Sequence, residues 1–245
     1  MRSTRLPGKV MKEILGEPLI GILLKRLKKA KEIDKIILAT STNHENDLLS
    51  YFVKKIGIEV FRGSEEDVLS RYYYAVKPYA PKAVVRITAD CPLIDPRICD
   101  EVVETYKSNH CDYVHTGPTF CEGLDCEIFS FRALETAFNR ACLKSEREHM
   151  PLYFHNHPEI FKTIKLVNKS NDSRYRFTVD EREDFLVVKA ILEGLGKNGS
   201  YDFSAEDVKG FLDRHPDVFR LNSRFIRNEG LIKSLSSDAR ITHAK

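Results

Sequence analysis

The chain has 245 residues, and its 39 Lys+Arg stand against 36 Asp+Glu for a formal net charge of +3. With 42% hydrophobic and 31% charged residues it is not intrinsically disordered, a state that needs low hydrophobicity and a large net charge. Only 12 Gly, 10 Pro and 6 Cys exclude collagen-like and disulfide-scaffold chains, and the near-neutral balance gives no global field for nucleic acid.

No stretch approaches the roughly 20 apolar residues of a membrane-spanning helix. The opening MRSTRLPGKV has no hydrophobic run behind it, so no signal peptide is expected and the expectation is a cytoplasmic protein. Cys91, Cys99, Cys111, Cys121, Cys126 and Cys142 form no CxxC pair. His115, Cys121 and Cys126 lack the paired spacing of a zinc site, which leaves reduced, mostly buried thiols.

In chain order, a helix is predicted over 18–31, then a buried strand at 33–41, a helix over 44–56 and a second strand at 57–64. A helix over 65–79 follows, and KAVVRITAD (82–90) is a near-continuous apolar run of the kind a parallel sheet buries on both faces. This strand–helix alternation predicts an open, mostly parallel α/β sheet, nucleotide-binding and Rossmann-like, with helices on both faces. After a Pro-punctuated turn, Asp95 caps a helix starting at Pro96. Residues 111–131 read as two short strands forming a protruding β-arm. A helical stretch over 132–157, strands at 161–167 and 174–179 and a helix over 181–195 complete a domain of residues 1–196. Beyond the KNGS linker, 197–245 form an extension with one amphipathic helix over 204–214, capped by Ser204, and a tail that frays after Ser234.

Three stretches carry candidate chemistry. In RSTRLPGK, Arg2, Arg5 and Lys9 surround a tight Pro7–Gly8 turn, where exposed amides and cations suit a polyphosphate. A solvated basic terminus is the alternative. In TADCPLID, Asp90 ends a strand at the carboxyl edge of the sheet, where open α/β folds bind ligands. In TVDERED, Asp180 stands at a second strand–helix junction. Two such carboxylates suit Mg2+, which is shared with substrate phosphates; on the residues alone, each is equally well a helix cap.

Together these stretches resemble the cytidylyltransferase family that activates acidic sugars, and more closely its spore coat polysaccharide branch. The match continues through FRGSEEDVLSRYYYA, EGLDCEIFSF, SEREHMPLYF and LNSRFIRNEGLIKSL, essentially the whole chain. The resemblance implies transfer of CMP from CTP to a sugar acid, with pyrophosphate released, for surface or spore-coat polysaccharide, in a homodimer built through the 111–131 arm. It implies no nucleic-acid or membrane partner. By motif, Arg5 and Lys9, with Arg2, hold the triphosphate; Asp90 and Asp180 carry Mg2+, and Arg5, Lys9 and Asp90 act in catalysis. Ser64, Asp67 and Arg71 approach the nucleotide or the incoming sugar, and Glu122, Asp125 and Glu127 the acceptor. Glu148 and His149 are a candidate base or a helix-surface pair. Two other readings stay open: a non-catalytic nucleotide-binding or assembly protein, and a related transferase acting on a phosphonate or working as a glycosyltransferase.

Family members begin with a buried strand ending in an alanine–arginine pair before the RSTRLPGK loop, whereas this chain starts inside the loop. The expectation is a start set too far downstream, a strand slot beside 84–88, and a chain poorly soluble or inactive as written.

Overall fold

The computed structural model describes residues 5–196 and 199–227, together with 232 and 235. Gly8 takes a left-handed conformation (φ 67°) at the turn that the Pro7–Gly8 pair predicts, and a short 3-10 turn, Lys9–Met11, follows. A two-residue hairpin, β1 (Glu13–Ile14) with β2 (Glu17–Pro18), leads into α1 (Leu19–Leu27). Every residue of α1 except Lys25 is buried, as expected of a helix that is apolar all round.

β3 (Ile37–Ser41), α2 (Asp47–Lys55) and β4 (Glu59–Gly63) form a crossover in which β3 and β4 pair in parallel, Ile37 opposite Glu59. Next come α3 (Val68–Val76), β5 (Ala83–Arg86) and α4 (Pro96–Ser108), the last capped by Asp95, which accepts from the Arg97 amide. β6 (Tyr113–Thr116) and β7 (Glu127–Ser130) precede α5 (Phe131–Arg140), α6 (Lys144–Glu148) and α7 (Pro151–Asn156). β8 (Thr163–Leu166), α8 (Arg182–Leu195), α9 (Ala205–Arg214) and α10 (Pro216–Arg220) complete the order. The main sheet runs β5-β7-β6-β8. It is mixed: β7 is antiparallel to both neighbours, and β6 and β8 are parallel. β5 pairs only with β7, and β3 only with β4, among the described residues.

Three expectations need correction. Residues 111–131 are no protruding arm, because β7 pairs on both sides and Tyr113, Val114 and Phe129 are fully buried. These strands carry apolar residues on both faces (Tyr113 and Phe129 on one, Val114 and Ile128 on the other), and burial within the sheet satisfies that better than projection into solvent. The helical stretch over 132–157 is three helices. An extended Ala141 ends α5, and Pro151, lacking an N–H, opens α7. Residues 174–179 form no ladder strand; this extended segment is tied to the 117–126 loop by one bridge, Glu122 with Arg176.

One core cluster lies between α1, α8 and α9 and takes in Phe177 and Val179. A second packs α1, α2 and α4 on one face of the main sheet, and a third packs α3, α5 and α7 on the other. Among the described residues, no helix is long and apolar enough to cross a membrane.

Candidate functional site

Lys9 is the centre of the site. Its ammonium lies 2.9 Å from Asp90 Oδ2 and 2.7 Å from Asp180 Oδ1, so two carboxylates distant in sequence converge on one point. Asp90 is delivered by the turn after β5. The Asp180 segment is laid beside it by the Val179 amide and Thr178 hydroxyl, which both donate to the Asp90 carbonyl. Arg5 reaches the same place, 3.2 Å from Asp180 and 3.0 Å from Glu181. Arg2 lies outside the described residues.

Burial alone would lower the pKa of Lys9, but Asp90 and Asp180 outweigh it and hold the ammonium above its ordinary value. Burial likewise works to raise the Asp90 carboxyl, and Lys9 overcomes it, leaving Asp90 below the usual range. Both groups are therefore charged near neutrality. Two hard oxygen donors within reach of one positive charge fit Mg2+, which takes one or two carboxylates and leaves the rest of its shell to water and phosphate. Among the described residues no larger cluster of His, Cys, Asp and Glu suited to a metal is found, and His115, Cys121 and Cys126 form none.

Behind Asp180 stands a group whose mutual contacts the sequence motifs do not show. The Arg176 guanidinium grips Asp184 with Nε–Oδ1 at 2.8 Å and Nη2–Oδ2 at 3.0 Å, and also reaches Glu122 (2.5 Å) and Asp180 (3.2 Å). Asp184 in turn accepts from the Asp180 and Glu181 amides, closing the capping box of α8. Asn222 donates to both Asp184 and the Arg176 carbonyl. The one local signal is the acidic first turn of α8; Arg176 and Asn222 have none.

The other candidates have partners of their own. Ser64 Oγ accepts from the Asp67 amide; Asp67 caps α3 and pairs with Arg147 at 2.7 Å; Arg71 donates to the Ser64 carbonyl. All three organise the loop after β4. Each acidic candidate for the acceptor meets an arginine: Glu122 meets Arg176, Asp125 meets Arg227 (2.5 Å), and Glu127 meets Arg86 (3.2 Å). Glu148 is exposed at the end of α6, and His149 follows it half-buried.

The sequence model of the family described as cytidylyltransferase matches residues 1–203. The chain belongs to the cytidylyltransferase family. It is 31% identical over 232 residues to the spore coat polysaccharide biosynthesis protein SpsF of Bacillus subtilis, covering 89% of this chain and 92% of that one. It also superimposes on a cytidylyltransferase of Leptospira borgpetersenii with a TM-score of 0.85 at 33% identity, over 93% of this chain and 95% of that one. A 3-deoxy-manno-octulosonate cytidylyltransferase of Geobacter sulfurreducens is 26% identical over 109 residues, covering 44% and 42% of the two chains. The resemblance that the motifs carried is thus borne out, and with it the α/β nucleotidyltransferase fold. The cytidylyltransferase's loop, Arg5–Lys9, is the element that brings cations to Asp90 and Asp180.

Proposed function

We propose that this cytidylyltransferase transfers CMP from CTP to a sugar acid of a surface polysaccharide, with Mg2+ held by Asp90 and Asp180. The observation that carries this is the convergence of both carboxylates on Lys9, at 2.9 and 2.7 Å. Further support comes from the named relatives, one of them a 3-deoxy-manno-octulosonate cytidylyltransferase.

In the transfer, the acceptor hydroxyl oxygen bonds to the α-phosphorus as its proton passes to solvent, while the bond from the α-phosphorus to the bridging oxygen of the β-phosphate breaks and pyrophosphate leaves. Positioning and electrostatic stabilisation dominate such reactions. The metal supplies charge neutralisation across the phosphates. Lys9 and Arg5 spend their charge on Asp90, Asp180 and Glu181 in this structure. Asp90 and Asp180 would hold the divalent cation, and Lys9 and Arg5 beside them would offer their charge to the pyrophosphate. Arg176 keeps Asp180 aimed throughout, since its own charge is already matched by Asp184 and Glu122.

The test is pyrophosphate release from CTP with a panel of sugar acids, with and without Mg2+. Asp90→Asn and Asp180→Asn should each lower turnover roughly a hundredfold or more, the scale of losing one electrostatic partner of the transition state. Near-normal turnover in either variant would remove that residue from the metal site.

A further inference from the structure

The segment after α10 is attached the wrong way round for an element that builds a core. Its large aliphatic side chains face solvent, Leu221 at 39% exposure and Ile226 at 68%, and no described residue beyond Phe219 belongs to a core cluster. Its polar side chains turn inward instead. Asn222 is buried and donates to the Arg176 carbonyl and to Asp184 Oδ1, both at 3.0 Å. Arg224 pairs with Glu183 at 2.7 Å, and the Phe225 ring lies 5.7 Å from the Arg176 guanidinium. Arg227 donates to the Pro118 and Phe120 carbonyls at 3.3 and 2.9 Å and pairs with Asp125. A segment that exposes its aliphatic groups and spends its polar ones inward is explained by what it positions rather than by what it buries.

It meets the two segments that frame Asp180. The 117–126 loop lies against residues 175–178: the Glu122 amide donates to the Tyr175 carbonyl at 3.0 Å, and the Glu122 carbonyl accepts from the Phe177 amide at 2.7 Å. The Glu122 carboxylate holds Arg176, which reaches Asp180. The first part of the loop has anchors elsewhere, the Gly117 amide on the Leu166 carbonyl and the Asp172 amide on the Thr119 carbonyl. The part that carries Glu122 has Arg227, which spans from Pro118 and Phe120 to Asp125, whose other oxygen accepts from the Gly123 amide. One planar fork thus closes the loop across its chord. On the far side, Asn222 and Phe225 cover Arg176, and keeping water from it strengthens its ion pairs.

We propose that residues 222–227 are a strap that completes the site, with Arg227 as a positioning residue that holds the 117–126 loop on the 175–178 segment and so keeps Asp180 beside Asp90. The proposal rests on the reading of Asp90 and Asp180 as the Mg2+ ligands of CMP transfer. The strap lies beyond residues 1–203, the part of the chain that the family model matches. The working site therefore extends past that unit, through side chains that touch neither metal nor substrate.

The test is hydrogen exchange of the metal-free full chain, set beside an Mg2+ titration of pyrophosphate release. In Arg227→Met the Glu122, Phe177 and Asp180 amides should exchange roughly tenfold faster, the scale of one lost hydrogen bond, while the amides of β3 and β4 stay as they were. The Mg2+ concentration for half-maximal rate should rise about tenfold, the lower end for an outer partner of a metal ligand. Arg227→Lys keeps a charge beside Asp125 without the fork, so it should fall between, and it serves if the methionine variant fails to fold. Unchanged exchange at the three amides in a folded variant overturns the strap. Faster exchange with an unmoved Mg2+ requirement overturns the positioning role of Arg227. A wild-type chain that releases no pyrophosphate with any sugar acid counts against the reaction instead, and exchange then decides the strap by itself.

Discussion

Lys9 answers to two carboxylates, and that makes its contribution specific. Lys9→Ala and Arg5→Ala should weaken CTP binding more than CMP binding, by roughly 1.5–3 kcal/mol for each charge-assisted hydrogen bond to phosphate. Equal weakening in parallel titrations would place neither cation on the β- or γ-phosphate. His115 gives a second measurement at this scale. Burial, with His155 beside it, depresses its pKa from 6.5 to about 4. The unfolded chain therefore binds a proton between those values that the folded chain refuses, and stability falls as pH drops from about 6.5 toward 4. His115→Gln should flatten that part of a melting-temperature profile; an unchanged slope would assign it to other groups.

At the scale of elements, the 117–126 loop and the segment leading to Asp180 touch closely enough to forbid a side chain. Gly123 has φ 95°, and a Cβ there would lie 2.4 Å from the Thr178 amide nitrogen. Gly123→Ala should cost about 2 kcal/mol or more through left-handed strain and overpacking together. Because Thr178 and Val179 fix the Asp180 segment on Asp90, turnover should fall with stability in the same variant. The residues after α10 act on that segment from the other side. Asn222 is buried and donates to Asp184 and Arg176, and Arg227 donates to the Pro118 and Phe120 carbonyls. Asn222→Ala should cost about 1–3 kcal/mol in a urea titration and raise the Mg2+ concentration needed for half-maximal rate. A purely structural role would leave the metal requirement where it was.

Across the whole molecule, Arg26 joins parts of the chain that are far apart in sequence. It is 1% exposed, and it donates to the carbonyls of Leu93, Ile94, Tyr201 and Phe203. The α1 helix, the turn after Asp90 and the lead into α9 thus share one buried cation. Arg26→Met would orphan four carbonyls, at a cost of at least about 3 kcal/mol against a total of about 5–15 kcal/mol. The expected outcome is a large shift in a single cooperative transition, since Leu19, Val187 and Phe211 belong to the same core. Separate melting of α9 would show that its packing is independent of α1.

The α/β alternation, the Asp95 and Ser204 caps and the turn at Pro7–Gly8 were all legible in the sequence, because each depends on residues within one or two turns of chain. Lys9, Asp90 and Asp180 stand in short stretches that the sequence singles out, but on the residues alone a basic terminus and helix caps fitted them equally, and only the fold brings the three together. The partners of those residues were not legible. Arg176, Asn222, Arg227 and Arg86 carry no local sign of the partners they meet, and their ion pairs and hydrogen bonds span up to 109 positions. Residues 111–131 look the same as an arm or as central strands, since a period of two fixes which faces are apolar but not what covers them. Long-range pairing is chosen by burial, which satisfies an acid with whichever cation the folded chain brings near it. That choice sets Glu122, Asp125 and Glu127 opposite Arg176, Arg227 and Arg86.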